Sequence, residues 1–566
     1  MNDFSNIYES VLNPKTRRVD GIHFTTTELI HRVIDPLFLN DLQEEFSKCD
    51  SAEKLKRLHE KMSELVFFDP ACGSGNFLVE IFSSLYMLET EIISKLNTER
   101  KLSVKNFYGI ELNDFSCTVA RVSLMLVSNS KTVPNIFHGN SLRIDWKKIL
   151  PDKKVYIVGN PPFIGYSLQT AEQKSDVKYI FQNWRGSGKM DYAACWFKKS
   201  ADFIQNTRNE AAFVATSSIC QGEAVGFLWK KLFDAGIRIN FAWKKFEWDS
   251  VAKVHCVIVG FSNFDRKEKF IYDDKKIYRV QNINAYLRDL PNICVESRTN
   301  PISRVPRMIL GNLPRDGGNL IVESADYDRF IATEPRAEKY LRKFIGAEEF
   351  LKNRRRYCLW LVNAPEEVLN LPAVKTRIDA VKNFRLSSKR PMTREAAKIP
   401  WLFSEIRQPR SGNYIVIPAT TSSARKYIPF DFVSSEIICS DAVLIIPNAN
   451  LYLFGILSSV VHMEWMRLVS GYLGISYRYS ASIVYNNFPF PKYASEIEST
   501  ARKILDVRKK YSESLSKMYK KFPADLLSAH EENDRAVLKS YGFSENISVD
   551  DLLSNLLRLY EKFRGR

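Results

Sequence analysis

Short apolar runs that break into polar turns, and alternate with longer amphipathic stretches, constrain the first half of this chain more than any other feature. Val66-Phe67-Phe68 leads into Asp69-Pro70-Ala71-Cys72-Gly73-Ser74-Gly75. Phe107-Tyr108-Gly109-Ile110 ends in Glu111, with Leu112 following. Asn135-Ile136-Phe137-His138 runs into Gly139-Asn140-Ser141, and Val155-Tyr156-Ile157-Val158-Gly159 delivers Asn160-Pro161-Pro162-Phe163. Runs this short read as strands, and the charged stretches 41–64 and 114–127 read as helices. Strands alternating with helices predict a mostly parallel α/β sheet, which places its ligands beyond the carboxyl ends of the strands. Every polar segment just quoted falls at such an end. Downstream, 211–216 is a buried strand, 239–243 and 254–261 form a closing strand pair, and helices are expected over 226–235 and from Asp191 toward Asn206.

The tetrapeptide 160–163 carries the sharpest chemistry. An exocyclic or amide NH2 is a poor nucleophile because its lone pair is delocalised into the attached π system. An enzyme that alkylates it must hold both hydrogens, so that the lone pair turns toward the alkyl donor. Asn160 offers a side-chain carbonyl as one acceptor. Pro161 offers its backbone carbonyl as the other, with φ locked and no N–H of its own; Pro162 stiffens the exit, and Phe163 presents a face for stacking. A plain Pro-rich turn is the competing reading. Around it, Gly73 and Gly75 let a ligand approach the backbone where a helix N-terminus offers free N–H groups. The missing third glycine argues against a dinucleotide. Glu111 stands where an acid can accept from ribose hydroxyls, Leu112 can pack on an adenine, and Asn140-Ser141 can meet an adenine amino group. Phe246 and Trp248, on a loop, are candidates to sandwich a base against Phe163, or ordinary core.

Composition bounds the rest. At 566 residues the chain is too long for one core,. No apolar run approaches the ~20 residues of a membrane span, and the N-terminus lacks a signal pattern, so a cytoplasmic protein with no membrane partner is expected. Nine cysteines occur singly, with no C-x-x-C pair, which favours reduced thiols and argues against a zinc site. None follows a proline, as a cytosine-C5 nucleophile would. Lys and Arg total 82 against 65 Asp and Glu, a net charge of +17, which points to a polyanionic partner such as nucleic acid.

The ordered set Phe24-Thr25, Asp69 to Gly75, Glu111 and Asn160 to Phe163 resembles class I S-adenosylmethionine-dependent amino-methyltransferases, in the gamma motif order of DNA adenine-N6 enzymes. The resemblance implies a Rossmann-like, seven-stranded, mostly parallel sheet. It also implies that Phe24, Thr25, Asp69, Ala71, Gly73, Gly75, Glu111, Leu112, Asn140 and Ser141 hold S-adenosylmethionine, and that Asn160, Pro161, Pro162 and Phe163 handle the adenine. Asn140 departs from the commoner Asp, although its amide oxygen can still meet an amino group.

From about Pro301 the chain is rich in Arg and Lys with interleaved aromatics. Arg354, Arg355, Arg356, Arg385, Arg407, Arg410 and Arg478 belong to this tract, and phosphate contact and base-edge reading both favour such residues. The stretches 451–467 and 477–489 resemble the target-recognition domain of MmeI-like restriction–modification enzymes, and the helices expected over 501–519, 526–541 and 552–563 resemble that family's C-terminal region. His462 on an apolar helix reads as a core residue rather than a metal ligand. The implied organisation is a helical segment with the Phe-Thr motif over 1–64, a methyltransferase domain over 65–295, a mixed α/β recognition domain over 296–491 and a helical region over 492–566. The family's usual N-terminal nuclease, with its Asp and Glu-x-Lys ligands, has no counterpart before the Phe-Thr motif. The expectation is therefore site-specific methylation of double-stranded DNA without cleavage, in restriction–modification or phage defence, with a separate nuclease or defence subunit left open. Two rival classes stay open: a protein glutamine-N5 or RNA guanine-N2 methyltransferase, and a non-catalytic DNA-binding specificity subunit.

Overall fold

The computed structural model describes residues 25–184, 186–247, 255–274 and 276–565. Phe24 and Trp248 lie outside the described residues. The chain forms two compact units, Met1–Cys294 and Val295–Arg566.

The first unit is built on one sheet: β1 (Val66–Asp69), β2 (Phe107–Glu111), β3 (Asn135–His138), β4 (Val155–Gly159), β5 (Glu210–Thr216), β6 (Arg238–Glu247), β7 (His255–Ser262), β8 (Lys269–Asp273) and β9 (Lys276–Val280). Their order is β3-β2-β1-β4-β5-β7-β6-β8-β9. Strands β3 to β5 pair in parallel, and β7 inserts antiparallel between β5 and β6. The seven expected strands are thus extended by β8, parallel to β6, and its antiparallel partner β9. Sequence reading passes over this hairpin because its outer strand is charged, with Lys276 and Arg279, and largely exposed. Charge on an edge strand keeps other chains from pairing with it.

All four residues of β1 are buried, as expected for a strand covered on both faces. Side chains alternate across it. Phe67 joins a core with Leu29, Ile30, Leu78, Ile81 and Val158 on one face, and Phe68 joins Trp146, Ile157, Phe197, Phe213 and Trp229 on the other. Thr26 caps the helix Thr27–Ile34 by accepting from the Leu29 N–H,. The helical stretch expected over 41–64 is two helices, Asn40–Ser47 and Ala52–Glu64, because Ser51 caps the second one.

The second unit carries three small sheets. One is antiparallel, in the order Ile309–Leu310, Val443–Pro447, Asn413–Pro418, Asp431–Ser434. The second orders Ile321–Glu323, Arg356–Leu359, Leu341–Ile345, Ile438–Cys439, and helix Pro372–Leu386 packs Val374, Ile378 and Val381 into the core beside it. The third joins Thr420–Ser422, Ser476–Arg478 and Gly471–Leu473. The unit ends in helices Ser495–Lys509, Leu515–Lys521, Ala524–Tyr541 and Val549–Arg564, so the single helix expected over 501–519 is interrupted. No helix among the described residues is long and apolar enough to cross a membrane.

Candidate active site

Strand β4 ends at Gly159, where an added Cβ would stand 2.7 Å from Asp69 Oδ1 on neighbouring β1. Only glycine lets the two strand ends approach this closely. Asn160 follows. Its Nδ2 donates to Thr25 Oγ1 at 3.2 Å, while its Oδ1 is buried and has no hydrogen-bond partner. A buried, unpartnered amide oxygen is costly and calls for an explanation in function. Pro161 is buried and Pro162 half-buried. Phe163 is half-buried against the hydrophobic clusters on both faces of the sheet. The backbone beyond the tetrapeptide is pinned: the Ile164 carbonyl accepts from the Tyr192 N–H and from Gln169 Nε2, both at 3.0 Å. The Asp191 carboxylate accepts from the N–H groups of Ala193 and Ile164, and burial pushes its pKa up to about 6.

The ends of β1 and β2 form a cradle beside it. Asp69 Oδ1 accepts from the Ala71 N–H at 2.9 Å. Burial, with a smaller contribution from Glu111, lifts the Asp69 carboxyl to about 8. Gly73 and Gly75 take left-handed φ values of 52° and 89°, and a Cβ on Gly75 would lie 3.1 Å from Ala120 Cβ. Helix Asn76–Leu96 starts directly after Gly75. Glu111 ties the two loops together, accepting from the Gly73 N–H at 3.0 Å and the Asn113 N–H at 2.9 Å; burial raises its pKa. Leu112 is 68% exposed, and the Ser141 hydroxyl is buried without a partner.

The Asn140 side chain is engaged at both ends. Its amide oxygen accepts from the Leu142 N–H at 2.9 Å, and its amide nitrogen donates to Asp176 Oδ2 at 2.9 Å. Asp176, buried, also accepts from Arg143 Nε at 2.6 Å and the Tyr192 hydroxyl at 2.8 Å. Sequence reading missed Asp176 because it lies in a charged stretch with the look of a solvated helix face.

In the second unit the arginines divide. Arg385 is fully buried on helix Pro372–Leu386 and donates to five backbone carbonyls, those of Pro314, Arg315, Ala396, Ile399 and Leu402. It is a structural clamp, which corrects its place in the basic tract. Arg407 donates to the Gly311 carbonyl at 2.8 Å and pairs with Glu405, Arg356 pairs with Glu349 at 3.1 Å, and Arg354 pairs with Glu348 at 2.8 Å. Arg355, Arg410 and Arg478 are exposed. His462 is buried with its Nε2 2.8 Å from the Tyr479 hydroxyl, and burial lowers its pKa to about 3. Among the described residues no cluster of three or more His, Cys, Asp or Glu side chains is placed to hold a metal.

A mostly parallel α/β sheet with a glycine-turn cradle at β1 and an Asn-Pro-Pro-Phe turn at β4 defines the first unit as a methyltransferase. Residues 45–133 and 130–273 match the family model for the MmeI DNA-methyltransferase domain, 289–492 the MmeI target recognition domain, and 490–565 the MmeI C-terminal domain. DNA methyltransferase A of Bacillus subtilis is 36% identical over 606 aligned positions, which cover 100% of this chain and 69% of the relative. A solved structure of the Type IIL restriction-modification enzyme MmeI in complex with DNA aligns over 100% of this chain and 82% of that one, with 39% identity and a TM-score of 0.92. The MjaVII methylase subunit of Methanocaldococcus jannaschii, a Type I restriction enzyme, is 29% identical over 140 residues, 24% of this chain and 22% of its own length. The chain belongs to the MmeI family of DNA methyltransferases.

Proposed function

We propose that this chain is a site-specific DNA adenine-N6 methyltransferase that uses S-adenosylmethionine and acts in the cytoplasm within a restriction–modification or phage-defence system. The observation that carries this reading is the Asn160 Oδ1 acceptor, buried and unpartnered beside Pro161 at the carboxyl end of β4.

The cradle fits such a cofactor. Gly73 leaves open space beside the backbone, Glu111 holds that turn and is the acceptor this reading gives the ribose, Leu112 offers an exposed apolar side chain, and Ser141 has a free hydroxyl. In this reading Phe24, Thr25, Asp69, Ala71, Gly73, Gly75, Glu111, Leu112, Asn140 and Ser141 surround the cofactor. When bound, S-adenosylmethionine supplies an electrophilic methyl carbon. The protein's part is to extrude one adenine from the duplex, at a cost of a few kcal/mol of unstacking, and to stack it on Phe163, with Trp248 as the opposing face. Asn160 Oδ1 and the Pro161 carbonyl accept the two N6 hydrogens, which turns the nitrogen lone pair toward the methyl. The surplus proton leaves N6 after transfer by way of Asn160 Oδ1 to water, so no strong base is needed. Positioning supplies most of the rate.

Residues 65–295 perform the chemistry, 296–491 read the DNA sequence, and 492–566 flank the reader; the segment 1–64 brings in Thr25. Arg355, Arg410 and Arg478 are the favoured duplex contacts. Arg354, Arg356 and Arg407 contribute only by releasing their acidic partners. The DNA partner is double-stranded.

Asn160→Ala tests the reading. Methyl transfer from labelled S-adenosylmethionine to duplex DNA, digested to nucleosides, is expected to yield N6-methyladenine with the wild type. The variant is expected to lose transfer by at least about a hundredfold and to keep DNA affinity. Label in protein or RNA instead would favour the glutamine or guanine reading. No transfer by the wild type would favour a pure DNA-binding subunit.

A further inference from the structure

We infer that Thr25 is a positioning residue whose hydroxyl decides which end of the Asn160 carboxamide faces the substrate amine. The inference rests on the amino-methyltransferase reading of the site.

A carboxamide carries an acceptor oxygen on one end and a two-hydrogen donor on the other, and half a turn about its terminal torsion exchanges them. Only the acceptor end can take a hydrogen from a substrate NH2; the donor end would set N–H against N–H. The Asn-Pro-Pro-Phe sequence does not choose between them, since both orientations occupy the same space. The choice comes from a residue 135 positions earlier: Thr25 Oγ1 accepts from Asn160 Nδ2 at 3.2 Å, which leaves Oδ1 as the buried, unpartnered end. Thr25 is 6% exposed, so water does not readily replace it.

The hydroxyl is also held in place. Thr26, next in the chain, caps helix Thr27–Ile34 through its side chain, and its carbonyl accepts from the Ile30 N–H at 3.0 Å. Leu29, Ile30, Val33 and Ile34 of that helix are buried in the core that contains Phe67 and Val158. The acceptor for Asn160 therefore sits on an element anchored to the same sheet that carries Asn160, which is how a side-chain orientation is kept to within a hydrogen bond's tolerance.

The test compares the full-length wild type with Thr25→Val and Thr25→Ser. Valine keeps the volume and removes the acceptor; serine keeps the acceptor and removes the methyl. Single-turnover methylation at saturating S-adenosylmethionine is expected to fall about ten- to a hundredfold in the Val variant and to recover in the Ser variant. The Kd for DNA is expected to stay within about twofold, and saturating cofactor removes any loss of cofactor affinity from the comparison. If the Val variant does not fold, Thr25→Ala removes the same acceptor. Full single-turnover rate in both acceptor-less variants overturns the proposal. So does a loss that disappears when the cofactor is saturating, which would make Thr25 a cofactor contact only, and so does failure of serine to rescue. A wild type that transfers no methyl group to an amine fails earlier, and takes the underlying reading with it.

Discussion

Asp69 and Asn160 illustrate two ways in which burial gives a single residue its character. Asp69 is almost wholly enclosed and receives one backbone N–H, from Ala71, which does not offset the loss of water,. Its pKa is pushed up to about 8 from an ordinary value of 3.8. Between those values the folded chain holds a proton that the unfolded chain has released. Its contribution therefore favours the fold at low pH, declines as pH rises through this window, and is lost above about pH 8. Asp69→Asn keeps an oxygen for the Ala71 N–H and removes the titration. Denaturation of the wild type and the Asn variant, measured without cofactor, is expected to show the wild type losing stability relative to the variant between about pH 4 and pH 8. Parallel curves would mean that Asp69 is ionised in the folded chain. The Asp-Pro-Ala-Cys-Gly-Ser-Gly string is visible in the sequence, but the protonation of its first residue follows from how β4 and its Gly159 close over it.

At the scale of elements, helix Pro372–Leu386 shows why a basic tract cannot be read residue by residue. Arg385 is one cation among many in that sequence. In the fold it gathers the carbonyls of two separate segments, 314–315 and 396–402, against the helix C-terminus. An Arg fork is suited to this task because its five N–H donors are fixed in one plane. Arg385→Met leaves those carbonyls buried without donors. It is expected to destabilise the second unit by about 3–5 kcal/mol, read as faster hydrogen exchange across helix Pro372–Leu386 and a lower urea midpoint. Arg355→Met, on the surface, is expected to change stability by less than about 0.5 kcal/mol. An Arg385 variant as stable as the Arg355 variant would show that the clamp is dispensable. The hairpin β8–β9 makes the same point for strands: its charges hid it, and only its pairing with β6 brought it into the sheet.

For the whole molecule, an excess of 17 positive charges makes association with a polyanion strongly salt-dependent. The exposed and the internally engaged arginines should differ in that dependence. Substituting Arg355, Arg410 or Arg478 by Ala, one at a time, is expected to lower the slope of log K against log salt by about 0.9 for each phosphate no longer neutralised. Arg407→Ala, whose guanidinium already serves the Gly311 carbonyl and Glu405, is expected to leave the slope unchanged. Fluorescence anisotropy of a labelled duplex across a salt series measures both. Equal slopes in all four variants would rule out those exposed arginines as duplex contacts.

The sequence by itself determined the features that depend on near neighbours. The strands β1 to β4 were legible to within a residue because short apolar runs ending in Gly, Asn and Pro permit little else, and the Asn-Pro-Pro-Phe turn was legible because its acceptors are adjacent in the chain. The tertiary structure alone decided what depends on distant partners. It paired Thr25 with Asn160 and so chose the carboxamide's outward end, engaged Asn140 with Asp176, and sorted Arg385 into a core and Arg478 onto a surface. Propensity and periodicity act over a few residues, whereas hydrogen-bond partners and burial are set by segments that meet only when the chain is folded.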